Sequence, residues 1–232
     1  MKSYKTTGTI VGALFLTVMV TYSIGAFVLV DPILNSPEYL VKASTLKAQV
    51  ITGVLLELIN GIAYIGIAVL VFPILKQLNE SLALGYVGFR IIEFAMQIIS
   101  DISPLILTTL SQDYVSAEAP DASSFQALGT LLLAQRYWAN QMVFIAYGLG
   151  AIIFYYLLYQ SKLVPRFLSV WGLIGVPLVL INVLLDIFGS NPLQLLGLIM
   201  GLNEIVLGVW LIAKGFNPSA IASFRQMQIL KK

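Results

Sequence analysis

Residues 48–75 read AQVITGVLLELINGIAYIGIAVLVFPIL, and Glu57 is the one charge among them. A membrane helix needs about 20 mostly apolar residues at about 1.5 Å each. This run exceeds that and identifies a transmembrane helix from about Ala48 to Leu75. Five further stretches meet the same test: about Gly8 to Val30, Leu82 to Leu110, Tyr137 to Tyr159, Arg166 to Phe188, and Pro192 to Ala213.

The whole composition agrees. The chain has 232 residues, 59% hydrophobic and 10% charged, with a mean hydropathy of +0.91. A soluble domain has roughly 45–50% apolar and about 25% charged residues. A soluble enzyme, a disordered chain and a collagen-like chain are thereby excluded. The formal net charge of +2 gives no basic field, so no nucleic-acid partner is expected. Cysteine and histidine are both absent. Disulfides, thiolate nucleophiles and the commonest metal ligand and general base go with them. No metal and no cofactor are expected, and the expected partners are membrane lipid and a small solute or lipid ligand.

The expected fold is all-α: a polytopic bundle of six transmembrane helices over residues 1–215, with a cytoplasmic amphipathic tail over 216–232. The first run is about 23 residues, too long for a signal-peptide core of about 7–15, so it is read as a span despite Lys2 and Lys5 before it. Lysine and arginine in short loops set orientation. Lys2, Lys5, Lys76, Lys162, Arg166, Lys214, Arg225, Lys231 and Lys232 fall on one side; Lys42, Lys47 and Arg136, the last read as lying at a helix mouth, fall on the other. The longest loop of that second side carries Asp113, Glu118 and Asp121. Both termini are therefore expected in the cytoplasm of a multi-pass cell-membrane protein. The remaining cation, Arg90, lies inside the third span.

Two segments read as lying along the membrane. Joined to the fourth span, Ser123–Arg136 would make a helix of about 54 Å, against a hydrocarbon core of about 30 Å. A separate outer-surface helix capped by Ser123 or Ser124 is expected instead. In the tail, Asn217-Pro218 reads as an N-cap with N1 proline, and Ile221, Phe224 and Met227 share a face beside Arg225, Lys231 and Lys232. Pro104 and Pro177 are expected to kink their helices. Gly8-x-x-x-Gly12 and Gly197-x-x-x-Gly201 permit close helix approach within the bundle.

The residues that do not belong in lipid carry the functional information. Arg90, Glu93, Gln97 and Asp101 share one face of the third span. The second span offers Glu57, Asn60 and Tyr64; the fourth Arg136, Asn140 and Tyr147; the fifth Asn182 and Asp186; the sixth Asn203 and Glu204. One charge at the bilayer centre costs about 2.5–3.5 kcal/mol even on a lenient scale, so these stripes must face one another. Glu93 and Glu204 each lie about 17 Å from their span starts, near the midplane. Glu57 lies about 14 Å below the outer face. The expectation is a polar funnel open to the outside, with Asp101, Asn140 and Asp186 at its mouth, narrowing to Glu57, Glu93 and Glu204 around Arg90. An arginine fork suits service to two carboxylates.

No glycine-rich phosphate loop and no zinc-protease motif occurs. Three fragments carry a resemblance: Pro73–Glu93, PILKQLNESLALGYVGFRIIE; Gln141–Leu168, QMVFIAYGLGAIIFYYLLYQSKLVPRFL; and Leu202–Pro218, LNEIVLGVWLIAKGFNP. The chain resembles an uncharacterised bacterial membrane family, domain of unknown function 4386, from the first span to Pro218. Arg90, Glu93 and Glu204 stand at the family's arginine–glutamate pair and at its glutamate before Trp-Leu. Members often carry a histidine near the start of the fourth span; here Arg136–Gln141 reads RYWANQ, which leaves no histidine chemistry to carry over. The resemblance implies a fold and supplies no activity. Three readings stay open: a protein binding or moving a small polar solute in an intramembrane cavity, a structural or accessory subunit with a buried polar network, and a membrane-embedded lipid-modifying enzyme.

Overall fold

The computed structural model describes residues 2–116, 122–190 and 195–223. Helix α1 (Lys2–Tyr22) passes into a π-helical stretch (Ser23–Val30) and then α2 (Asp31–Leu34); α3 is Tyr39–Thr45 and α4 Lys47–Leu75. They are followed by α5 (Glu80–Ser116), α6 (Ala122–Ser161), α7 (Arg166–Ile187) and α8 (Leu195–Lys214). Among the described residues there is no strand. Six helical runs are long and apolar enough to cross a membrane: Tyr4–Leu34, Lys47–Leu75, Glu80–Ser116, Ser123–Ser161, Arg166–Ile187 and Gly197–Lys214. The protein is an all-helical, multi-pass membrane protein. Apolar side chains such as Ile62, Val69, Leu84, Leu131 and Ile174 remain exposed, as lipid-facing residues must be.

The chain divides into two compact units, residues 1–19, 63–93 and 144–232 in the first, and 20–62 and 94–143 in the second. In the first unit the core is aromatic: Tyr86 stacks on Phe154 at 5.0 Å between ring centroids, and Phe15 lies 6.1 Å from Phe154. Lipid is as apolar as leucine, so close packing must hold such helices together. Gly12 supplies it, since a Cβ there would come within 2.5 Å of the Gly208 carbonyl oxygen. Gly8 makes its close approach to Gly215, whereas Gly197 meets nothing within 4 Å among the described residues. The first glycine pair thus seats α1 on the C-terminal part of α8. Pro218 begins a short helical turn, and Asn217 caps it by accepting the Ser219 N–H at 3.1 Å. Phe216 and Ile221 are buried in this unit's core. The expected face continuing to Phe224 and Met227 lies outside the described residues.

In the second unit Val30, Ile33, Leu34, Leu40, Ala43, Val50, Val54 and Leu107 form the core. Gly25, in the π-helical stretch, faces Gly53 of α4 closely enough that a Cβ would come within 2.9 Å of the Gly53 carbonyl oxygen. The Leu29 carbonyl accepts a bond from the Gln49 side chain at 3.0 Å. Segment 123–136 is not a separate helix. It continues unbroken through α6, whose 40 residues span about 60 Å, beside an α5 of 37 residues. The bilayer-thickness argument failed because both helices overshoot and pack on neighbours. Tyr114 of α5 meets Phe125 of α6 at 5.7 Å, and α3 is tied on through the Tyr39 hydroxyl, which donates to the Gln126 carbonyl at 3.3 Å. Residues 125–136 contain no proline to stop the helix. Pro104 and Pro177 are likewise carried inside continuous helices.

Candidate functional site

The polar residues gather in two clusters, one in each unit. In the first, Arg90 is buried on α5, one turn from Glu93, and its guanidinium donates to Glu93 Oε2 at 2.7 Å. The guanidinium carbon lies 4.1 Å from the centroid of the Tyr64 ring, 5.1 Å from Tyr147 and 5.4 Å from Tyr86. These rings offer their negative faces to a desolvated cation, an arrangement worth about 2 kcal/mol or more. Glu204 of α8 accepts the Tyr64 hydroxyl at 2.8 Å and the Tyr147 hydroxyl at 2.9 Å. The preceding residue, Asn203, accepts the Tyr155 hydroxyl at 2.6 Å and donates to the Leu168 carbonyl at 3.1 Å. Side chains cross-tie the helices of this cluster, although Arg90 Nε and the Tyr86 hydroxyl are buried without a hydrogen-bond partner.

The second cluster centres on Arg136 of α6. Its Nη2 donates to both carboxylate oxygens of Glu57, at 2.9 and 3.1 Å. Nη1 lies 3.5 Å from Asp101 Oδ1, and Nη2 lies 3.9 Å from Asp31 Oδ1. The Asp31 side chain is 36% exposed, while those of Glu57 and Asp101 are 4% and 3%. Gln97 donates its amide to the Glu57 backbone carbonyl, and the Ser100 hydroxyl donates to Asn140 Oδ1 at 2.8 Å. Neither Asp101 oxygen has a hydrogen-bond donor. One cation therefore stands against three carboxylates, two of them deeply buried. Among the described residues no three carboxylates come together closely enough to hold a metal ion.

The expected convergence on Arg90 is thus corrected. Glu93 pairs with Arg90 and Glu204 reaches the same tyrosine cage, but Glu57 is held by Arg136 in the second unit. Arg136 is no mouth cation: it is 6% exposed, because α6 is already helical here and brings it to the acids of α4 and α5. Gln97, Asp101 and Asn140 belong to the second unit with it, and Asn60 is buried there. Asn182 and Asp186 are half-buried on α7 in the first unit, so Asp186 does not share a unit with Asp101 and Asn140. Sequence reasoning missed Asp31 as a site residue and undervalued Arg136. The four-residue step from Arg136 to Asn140, matching that from Gln97 to Asp101, was the available signal.

A family model for domain of unknown function 4386 (DUF4386) matches residues 10–215, most of the chain and every residue of both clusters. The chain belongs to the DUF4386 family. No curated protein and no solved structure matches it. The DUF4386 description names no activity, so the function of this member has to be argued from its clusters.

Proposed function

We propose that this DUF4386 protein carries a small polar solute across the cell membrane, with the Arg136 cluster as its binding centre. The observation that supports this most is Asp101: a buried carboxylate with no hydrogen-bond donor, beside a second buried carboxylate and a single guanidinium. A network serving only to fix helix register gains nothing from surplus acid, because an uncompensated buried charge is costly. A site that takes up positive charge during its cycle needs that surplus. The charge is a proton or the cationic group of the solute. The deformable segments that access requires lie in the same unit, the π-helical stretch Ser23–Val30 and Pro104 of α5.

With Arg136 inside a helix, nine cations stand against two, Lys42 and Lys47, and this asymmetry supports cytoplasmic termini. On that reading α3 and the N-terminal part of α6 form a cap on the outer side, and the turn from Pro218 begins the cytoplasmic amphipathic end. The first cluster favours a second, structural reading for its own residues: Glu204 and Asn203 bind three tyrosines and the Leu168 carbonyl of other helices.

The test is thermal unfolding of purified protein in detergent with a panel of small polar solutes, including guanidinium, quaternary ammonium compounds and neutral polyols. At least one member should raise the midpoint of wild type and leave Asp101→Asn and Glu57→Gln unmoved. A wild type that responds to none of them, or an Asp101→Asn variant that responds equally, contradicts the proposal.

A further inference from the structure

A second site lies in the first unit and shares no residue with either polar cluster. A cavity of about 510 Å³ is lined by the turn Lys162–Arg166 and by Trp210, Lys214 and Gly215–Pro218. Three of its lining residues are cationic and none is acidic. The geometry points to a binding site for the phosphate of an anionic membrane lipid, with Lys162, Arg166 and Lys214 on the headgroup and Trp210 beside the glycerol and upper acyl chain.

Ordinary helix chemistry explains one of these cations and fails for the other two. Lys214 ends α8, where a cation suits the negative end of the helix dipole. Arg166 opens α7, at the positive end, where a cation is unfavourable unless an anion joins it. Lys162 follows the last residue of α6 with φ of 54°, the left-handed region that glycine fills by default. A lysine is kept in that conformation, and Asn217 holds it there: its side chain donates to the Lys162 carbonyl at 3.2 Å and its N–H to the Leu163 carbonyl at 2.9 Å. Arg166 is steadied in turn over the Tyr159 ring at 5.4 Å. The floor is apolar, since Leu163, Val164 and Phe216 are buried. Three exposed cations over an apolar floor, with an indole at the side, match a lipid phosphate better than a free ion. The site is made by the ends of three membrane-crossing helices, the depth at which headgroups lie.

The experiment is native mass spectrometry of detergent-purified protein with equal amounts of phosphatidylglycerol and phosphatidylcholine, for wild type, Lys162→Gly, Arg166→Gln and the double variant. Lys162→Gly suits the backbone geometry, so loss of lipid there is not loss of fold. Phosphatidylglycerol should be retained in preference to phosphatidylcholine. Each substitution should weaken retention about fivefold, and both together about 30-fold. Equal retention of the two lipids, or unchanged retention by the double variant, overturns the assignment. So does displacement of the lipid by millimolar inorganic phosphate or glycerol phosphate, which would make this a site for free anions.

Discussion

At Arg136 the guanidinium meets Glu57 with two bonds and leaves Asp101 an ion pair without a hydrogen bond. Removing one partner of a buried pair costs about 3–5 kcal/mol, so Arg136→Ala is expected to destabilise the protein by that order. Asp101→Asn has the opposite sign. It removes one of two buried like charges that share a single guanidinium, relieving the repulsion between Asp101 and Glu57, so this variant should unfold later than wild type. The gain should be larger in the Arg136→Ala background, where Asp101 faces Glu57 without a counter-charge; a double-mutant cycle in detergent measures that coupling. An Asp101→Asn variant that unfolds earlier than wild type would show the carboxylate to be part of the scaffold. That these residues avoid lipid was legible from composition and helical spacing. Which acid meets which arginine was not, because spacing assigns a face and says nothing of the helix that covers it. Arg136 was misplaced for a further reason: the fourth span was started at Tyr137, one residue too late to count it as interior.

Among the elements, the apolar runs of α4 and α7 were plain in the sequence, since nothing but a membrane accommodates them. The short α3, the π-helical stretch and the unbroken α6 were not. The first two rest on tertiary partners, the Gln126 carbonyl for Tyr39 and Gly53 for Gly25. The third follows from α5 and α6 overshooting together. Glycine spacing was informative at Gly8, Gly12 and Gly201, the last facing the Met19 side chain of α1 at 3.1 Å, and not at Gly197. Gly12→Val would drive a branched side chain into the Gly208 carbonyl oxygen and the Ile212 backbone nitrogen, 2.5 and 2.9 Å from its Cβ. Overpacking costs about 1–3 kcal/mol where side chains can give, and backbone gives less. Gly12→Val should therefore lower the unfolding midpoint in detergent, whereas Gly197→Val, with no neighbour within 4 Å among the described residues, should leave the midpoint nearly unchanged. Equal effects at both positions would contradict the packing of α1 described above.

For the whole molecule, six membrane-crossing helices and the cation asymmetry make a definite topology testable. Reporter fusions at Ser116 and Lys162 are separated by one span and should report opposite sides, with Lys162 cytoplasmic; matching signals would refute it. The two units divide the chemistry as they divide the chain. Glu93, Glu204 and the tyrosines around Arg90 form a cross-tied set, and Glu57, Asp101 and Asp31 form an acid-rich one around Arg136. Charge movement separates these roles most directly. Proteoliposomes on a solid-supported membrane are subjected to a rapid jump in pH, or in guanidinium at constant pH, and the transient current is recorded for wild type, Asp101→Asn and Glu204→Gln. A transient in wild type that persists in Glu204→Gln and vanishes in Asp101→Asn is the predicted result. A transient of undiminished size in Asp101→Asn would contradict the claim that the Arg136 cluster is where positive charge is taken up.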